Sequence, residues 1–376
     1  MTMSSTTETR STQRTAQKNP LCAPCLCGSK TTRMKLLSAF LCALCVFTHA
    51  AEPIKLLFAG SSSMYWNDLP REVAKVVDGT ISGHIGRTVV PEAVGRSGSD
   101  IRVYLDPGFN RYEYGVKPGQ TFLDKIASEK PDIVPLMVVC RFIMGDDESS
   151  RLAPRDELTA SASSNSLRTT EEQPAKRERS APLAEREGYF AHADAVTKYC
   201  EAIRAAGGEP MFYEMGWGKA EREAEGRRRI FDLAVKNRIK LFAPCSSAWA
   251  RVYAERPELA LQHPNDNSHP GDAGHFLNLA CFYAALTGES PVGKLPRTFH
   301  VWPHGKYEPD EAKLAAFKPD AYQAAMAKWM LKHMAMNQTA TLEEETAKYL
   351  ETVAWETWRD VSGRLQACLE KSDGKK

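Results

Sequence analysis

The chain has 376 residues, 43% of them hydrophobic, enough to bury a large core, and its size fits one big domain or two small ones. Its 49 basic and 47 acidic residues leave a formal charge of +2, which gives no electrostatic case for binding nucleic acid or a strongly anionic surface. Function has to be argued from sites.

The first fifty residues read as a leader. Met34-Lys35 is followed by "LLSAFLCALCVFTHAAEP", a basic start, a short apolar run and small residues near Ala50, the pattern of a signal peptide. The run is short for a membrane span. A true N-terminal tail with a small anchor is the other reading. Cleavage after Ala50 would turn the balance slightly acidic, export the chain, and remove five of its ten cysteines. The remaining five are widely spaced and make no disulfide framework. "CAPCLC" has no second pair of ligands at zinc-finger spacing.

From residue 54 strand-like and helix-like segments alternate. "IKLLFAG" (54–60) predicts a buried strand and "LPREVAKVV" (69–77) a helix with Pro70 early and valines on one face. "RTVVPEAVG" and "PDIVPLMVVC" predict strands on either side of the helix "TFLDKIASEK". "HADAVTKYCEAIRAAGG", "EPMFYEMGW", "EAEGRRRIFDLAVKNR" and "IKLFAPC" continue as helix, strand, helix, strand. "AGHFLNLACFYAALTG" is apolar almost all round and should be buried. Five β-then-α units in order imply a three-layer α/β/α fold with a mostly parallel five-stranded sheet. Residues 146–187, rich in Ser, Glu and Arg and poor in large apolar side chains, predict a disordered insertion. Residues 296–376 predict a helical extension packing on the domain of 51–295.

Two stretches carry chemistry. "LLFAGSSSMYWND" ends the first strand at Gly60 and places Ser61, Ser62 and Ser63 at its edge. "LQHPNDNSHPGDAGHF" gathers His263, Asp266, His269, Asp272 and His275 in a Pro/Gly-broken loop before the buried helix. Three histidines with carboxylates suit a metal, but their spacing matches no compact motif. Alternatively Asp266 accepts the His269 Nδ1 proton and leaves Nε2 free to act as a base, or Asp272 merely caps the helix.

A Gly-x-Ser block at the end of the first strand and Asp-x-x-His before the last buried helix resemble the SGNH (GDSL-like) hydrolase superfamily, in secreted bacterial form. The resemblance spans roughly residues 54–292 and rests on Gly60-Ser61-Ser62 and Asp266-Asn267-Ser268-His269. It implies a flavodoxin-like fold and a catalytic triad of Ser62, His269 and Asp266, with Ser62 chosen over its two neighbours. It also implies an oxyanion hole from the Ser62 amide, a second-block glycine amide and a third-block Asn. Gly98 in "VGRSGSD" fits the glycine better than Gly95. The Asn is absent: "VVCRFIMGDD" offers Cys140, Arg141 or Gly145, with Arg141 the favoured substitute. The resulting expectation is an exported hydrolase that cleaves an ester, plausibly an acyl group on a carbohydrate, with no cofactor and no metal. Its partner is a small-molecule or carbohydrate ester; neither nucleic acid nor a membrane span in the mature chain is expected. The alternative is a non-catalytic binding protein that keeps the fold with an incomplete oxyanion hole.

Overall fold

Strand β1 (Ile54–Gly60) buries every residue except Lys55, and β3 (Ile133–Val139) buries all seven, the continuous apolar runs that a sheet covered on both faces requires. A computed structural model describes residues 52–96, 98, 101–105, 115–117, 119–143, 192–217, 221–303, 311–319 and 338–374. The expected leader, the insertion 146–187 and Gly145 lie outside the described residues. With β2 (Val89–Gly95), β4 (Glu209–Met215) and β5 (Leu241–Ala243), these strands form one parallel sheet in the order β2-β1-β3-β4-β5. This order reverses direction beside β1, so the carboxyl ends of β1 and β3 border the crevice where open α/β sheets hold ligands.

Alternation along the strands sorts the core into two faces. Leu56 and Phe58 pack with the helices α2 (Leu69–Val77), α8 (Asp272–Thr287) and α10 (Glu344–Asp373). Leu57 and Ala59 face α3 (Phe122–Glu129), α5 (His192–Ala205) and α6 (Glu221–Lys236) on the other side. The shortest helices, α1 (Ser62–Tyr65) and α4 (Cys140–Ile143), start directly after β1 and β3. The apolar α8 is buried along fifteen of its sixteen residues, as its all-round apolar sequence predicts.

Two features depart from the sequence expectation. Helix α7 (Cys245–Glu255) begins two residues after β5, where the sequence predicts only a strand end. It sets Trp249 against Gly274 of α8, where an added Cβ would lie 2.5 Å from the indole, and Trp249 Nε1 donates to Asn278 at 2.9 Å. The C-terminal part is not helical throughout: β6 (Thr298–Val301) and β7 (Gln338–Thr341) pair antiparallel, with the helix α9 (Glu311–Ala316) between them in the chain. His300 on β6 donates from Nδ1 to Glu72 of α2 at 2.8 Å, fastening this ribbon to the domain.

Glu214, at the end of β4, is buried and accepts from the Ser247 amide at 2.7 Å and its hydroxyl at 3.2 Å. Burial pushes its carboxyl up to about 7, and the Ser247 hydrogen bonds only partly oppose this. A carboxyl raised on folding contributes stability below its ordinary range of about 4.5, and that contribution is lost as pH rises through 7. Thermal melts of wild type and Glu214→Gln should therefore diverge in the variant's favour from pH 5 to pH 7. Parallel curves would show that Glu214 titrates alike in the folded and unfolded chains.

Candidate active site

Strand β1 leaves the sheet at Gly60, whose carbonyl accepts from Tyr104 Oη at 2.6 Å. A side chain there would meet Met137 Cβ at 2.8 Å, so the close approach of β1 to β3 requires glycine. Ser61 is extended and Ser62 opens α1; Ser61 and Ser63 are buried, whereas Ser62 is partly exposed. Of three consecutive hydroxyls, Ser62 is thus the accessible one.

The chain then turns sharply. Trp66–Asp68 form a single 3-10 turn in which Asn67 and Asp68 have φ of 59° and 56°. Asn and Asp tolerate this left-handed region better than other non-glycine residues. Buried Asn67 donates from Nδ2 to the Pro270 carbonyl at 3.0 Å, and its Oδ1 accepts from the Trp302 amide. Burial pushes the neighbouring Asp68 carboxyl up to about 7, with the Arg71 guanidinium at 3.2 Å opposing it.

The loop 263–270 is closed on itself. The His263 amide donates to the His269 carbonyl at 2.7 Å, and Asn267, at φ 50°, donates to the His263 carbonyl at 3.0 Å. Asp266 Oδ1 accepts from the amides of Ser268 and His269, while Oδ2 lies 2.6 Å from His269 Nδ1. Partial burial raises the Asp266 carboxyl, but the hydrogen bond from His269, its charge and the two amides outweigh that and bring it to about 2. A charged Asp266 on Nδ1 selects the tautomer with Nε2 unprotonated, the form a general base needs.

Stacking joins the two stretches. The Trp66 indole lies on the His269 imidazole with centroids 3.8 Å apart and planes 9° from parallel. Trp66 follows Ser62 by four residues, so the serine turn and the Asp-x-x-His loop occupy the same edge of the sheet. Ser62 and His269 are not hydrogen-bonded to each other in this conformation, and such bonds commonly tighten only with substrate in place.

The other expected residues occupy different places. Gly98 is exposed at φ 63° in the turn after β2, whose Gly95 is in register with Gly60. Arg141 on α4 is exposed, with its guanidinium 4.8 Å over Phe142 and 5.1 Å over Trp217. Trp217 in turn donates from Nε1 to the Ser268 carbonyl at 2.6 Å, so Arg141 borders the histidine loop. Burial pushes the Cys140 thiol far above its usual range, so it stays protonated, and its proton is directed at Ser246. His263 is buried, with its Nδ1 accepting from the Asn265 amide, and His275 points into the core beside Phe299. Gly271, not Asp272, is the N-cap of α8. Nothing in the sequence singles out Trp66, Asn67 and Trp217, although "MYWND" directly after the serines carries two residue types that tolerate left-handed turns.

Replacing Asn67 with Ala should cost about 2–6 kcal/mol in chemical denaturation, because two buried backbone groups lose their partner at roughly 1–3 kcal/mol each. A loss below about 1 kcal/mol, less than one such group, would show that water or a rearranged loop replaces both bonds.

No family model matches the chain, and no curated protein matches it in sequence. Among solved structures, a DUF4886 family protein from Bacteroides uniformis is similar at a TM-score of 0.45 and 12% identity, over 81% of this chain and 94% of that one.

Proposed function

We propose that this protein hydrolyses an ester, with Ser62 as nucleophile, His269 as general base and Asp266 as the carboxylate that orients it. The observation that carries the reading is the 2.6 Å contact between Asp266 Oδ2 and His269 Nδ1, on a loop stacked against the turn that begins at Ser62. A serine hydroxyl is a weak nucleophile until a base takes its proton. His269 Nε2 would take it as Ser62 Oγ attacks the acyl carbon, then return it to the departing alkoxide; water repeats the cycle on the acyl-enzyme. Asp266 stays ionised through both steps and stabilises the imidazolium. The amides of Ser62 and Gly98 would donate to the oxyanion, and Arg141 supplies the third donor that the SGNH family takes from Asn. An acyl group on a carbohydrate is the substrate, met outside the cytoplasm after a leader ending near Ala50 is removed. The missing amide side chain after β3 favours one second reading, a carbohydrate-binding protein on the same fold without turnover.

Hydrolysis of p-nitrophenyl acetate should be lost in Ser62→Ala and fall on the order of 10³-fold or more in His269→Asn, with folding unchanged. Equal activity in Ser62→Ala and wild type would remove the nucleophile and with it the enzyme. Arg141→Ala should lower turnover at least tenfold, because a single oxyanion donor is worth on the order of 10²–10³ in rate. An Arg141→Ala variant as active as wild type would leave the third donor elsewhere.

A further inference from the structure

Trp66 belongs to no block of the resemblance above, yet it stacks face to face on the His269 ring. Its indole covers one face of the imidazole at 3.8 Å, while His263 meets the indole edge-on at 5.6 Å and Trp302 lies tilted at 5.0 Å. The ring is thus held from behind, and its plane is fixed by Asn67, whose two buried hydrogen bonds lock the next residue in the chain. Trp66 Nε1 is buried with no hydrogen-bond partner among the described residues, a desolvation cost that a phenyl or alkyl side chain would avoid.

We propose that Trp66 is the positioning residue of this site: its indole face sets the tilt of His269 about the Asp266 hydrogen bond and stabilises the imidazolium formed when the serine proton is taken. The proposal rests on the hydrolase reading for its catalytic consequence, but not for the stack itself. A hydrogen bond to Nδ1 fixes the ring's tautomer and leaves it free to swing about the Nδ1···Oδ2 line. A parallel indole removes that freedom. Cation–π attraction is strongest for Trp among the aromatics and grows as the cation is desolvated. The stack therefore tightens in the step where positive charge develops, which is differential stabilisation of the transition state.

Several charged and titratable groups lie on the elements packed around the ring. Asp266 sits on its own loop, and His263 stands at the far edge of the indole. The Asp68–Arg71 pair follows on the same turn. Arg141 and Glu223 both meet Trp217 beside the loop: Arg141 overlies its indole, and its amide donates to Glu223 at 3.1 Å. Asp266 bonds the imidazole at Nδ1 and the Trp66 indole covers its face, so one fixes an edge of the ring and the other its plane.

The test compares Trp66→Phe, Trp66→Leu and wild type, first by proton NMR of the imidazole, assigned with His269→Asn, and then by p-nitrophenyl acetate kinetics. Wild type should show imidazole carbon-bound protons shifted upfield by the indole ring current and a slowly exchanging downfield Nδ1 proton. Trp66→Leu should lose both signatures while melting as a folded protein, and Trp66→Phe should keep both in weaker form. In kinetics, Trp66→Leu should lower kcat by roughly tenfold, the upper range for one aromatic contact. KM should stay within about twofold, because the indole face is occupied by His269 and not by substrate; Trp66→Phe should recover most of kcat. Should Trp66→Leu fail to fold, Trp66→Met takes its place, with similar bulk and no π face. An imidazole spectrum unchanged in the alkyl variant, or a kcat equal to wild type, overturns the proposal. If Ser62→Ala hydrolyses like wild type, the hydrolase reading fails, and the NMR comparison still decides whether the indole holds the ring.

Discussion

A single amide side chain, Asn67, accepts from the Trp302 backbone and donates to the Pro270 carbonyl, bringing together three segments that lie 203 and 235 residues apart in sequence. Each of those backbone groups is buried, and each would be left unsatisfied without it, so the cost of misplacing any one segment is felt by the other two. The geometry of the edge follows. Asn67 must adopt φ of 59° to reach both partners, which turns the chain back on itself and presents Trp66 to the loop. The loop can then be short and self-closed, because its outer end is already tied at Pro270. In this way the ribbon of β6 and β7, remote in sequence from either chemical block, becomes part of the support of the site.

The sheet explains why the support is needed there. In a parallel sheet all strands end at one edge, so β1 and β3 deliver Ser62 and Arg141 to the same rim. Side chains beyond the last hydrogen-bonded pair have no ladder to hold them. Gly60 and Gly95 end their strands in register, and the chain beyond Gly60 is fixed by particular contacts: Tyr104 on the Gly60 carbonyl, Met137 against Gly60, and, seven residues on, the two hydrogen bonds of Asn67. The histidine loop has no strand of its own, and it borrows rigidity from the start of α8 and from the two tryptophans that flank it.

Much of this was legible in the sequence where the signal was local and periodic. The helix 69–77 and the strands at 54–60 and 209–215 announce themselves because apolar spacing matches a face, and the all-round apolar run of α8 could only be interior. Helix α7 escaped because β5 is three residues long and passes into it almost without a break, so Cys245 looked like the end of a strand. Strands β6 and β7 escaped because each is four residues long and its partner stands some forty residues away, leaving too little alternation to read. In the candidate site, the Asp266–His269 pair is legible because both partners lie within one turn of chain. The stack of Trp66 on His269 is not, since nothing in either stretch specifies a contact two hundred residues long; only the left-handed tolerance of Asn67-Asp68 hints at a special turn.

The carboxylates at this edge show how burial sorts one chemical group into different roles. Asp68 and Glu214 are fully buried, and desolvation pushes each up to about 7, so near neutrality neither is a dependable negative charge. Glu72 is also buried, but hydrogen bonds from His300 and Lys75 overcome that and hold it at about 2. Its charge is thereby committed to fastening β6. Asp266 also lies at about 2, but its hydrogen bonds come from His269 and from its own loop, and one third of its side chain remains exposed. A carboxylate that must stay ionised while its imidazole partner gains and loses a proton needs this combination: enough burial to be held still, and enough hydrogen bonding and solvent to keep its charge. Of these four carboxylates, Asp266 meets that requirement next to a histidine stacked on the turn that carries Ser62, which is the physical ground for choosing it as the orienting member of the proposed triad.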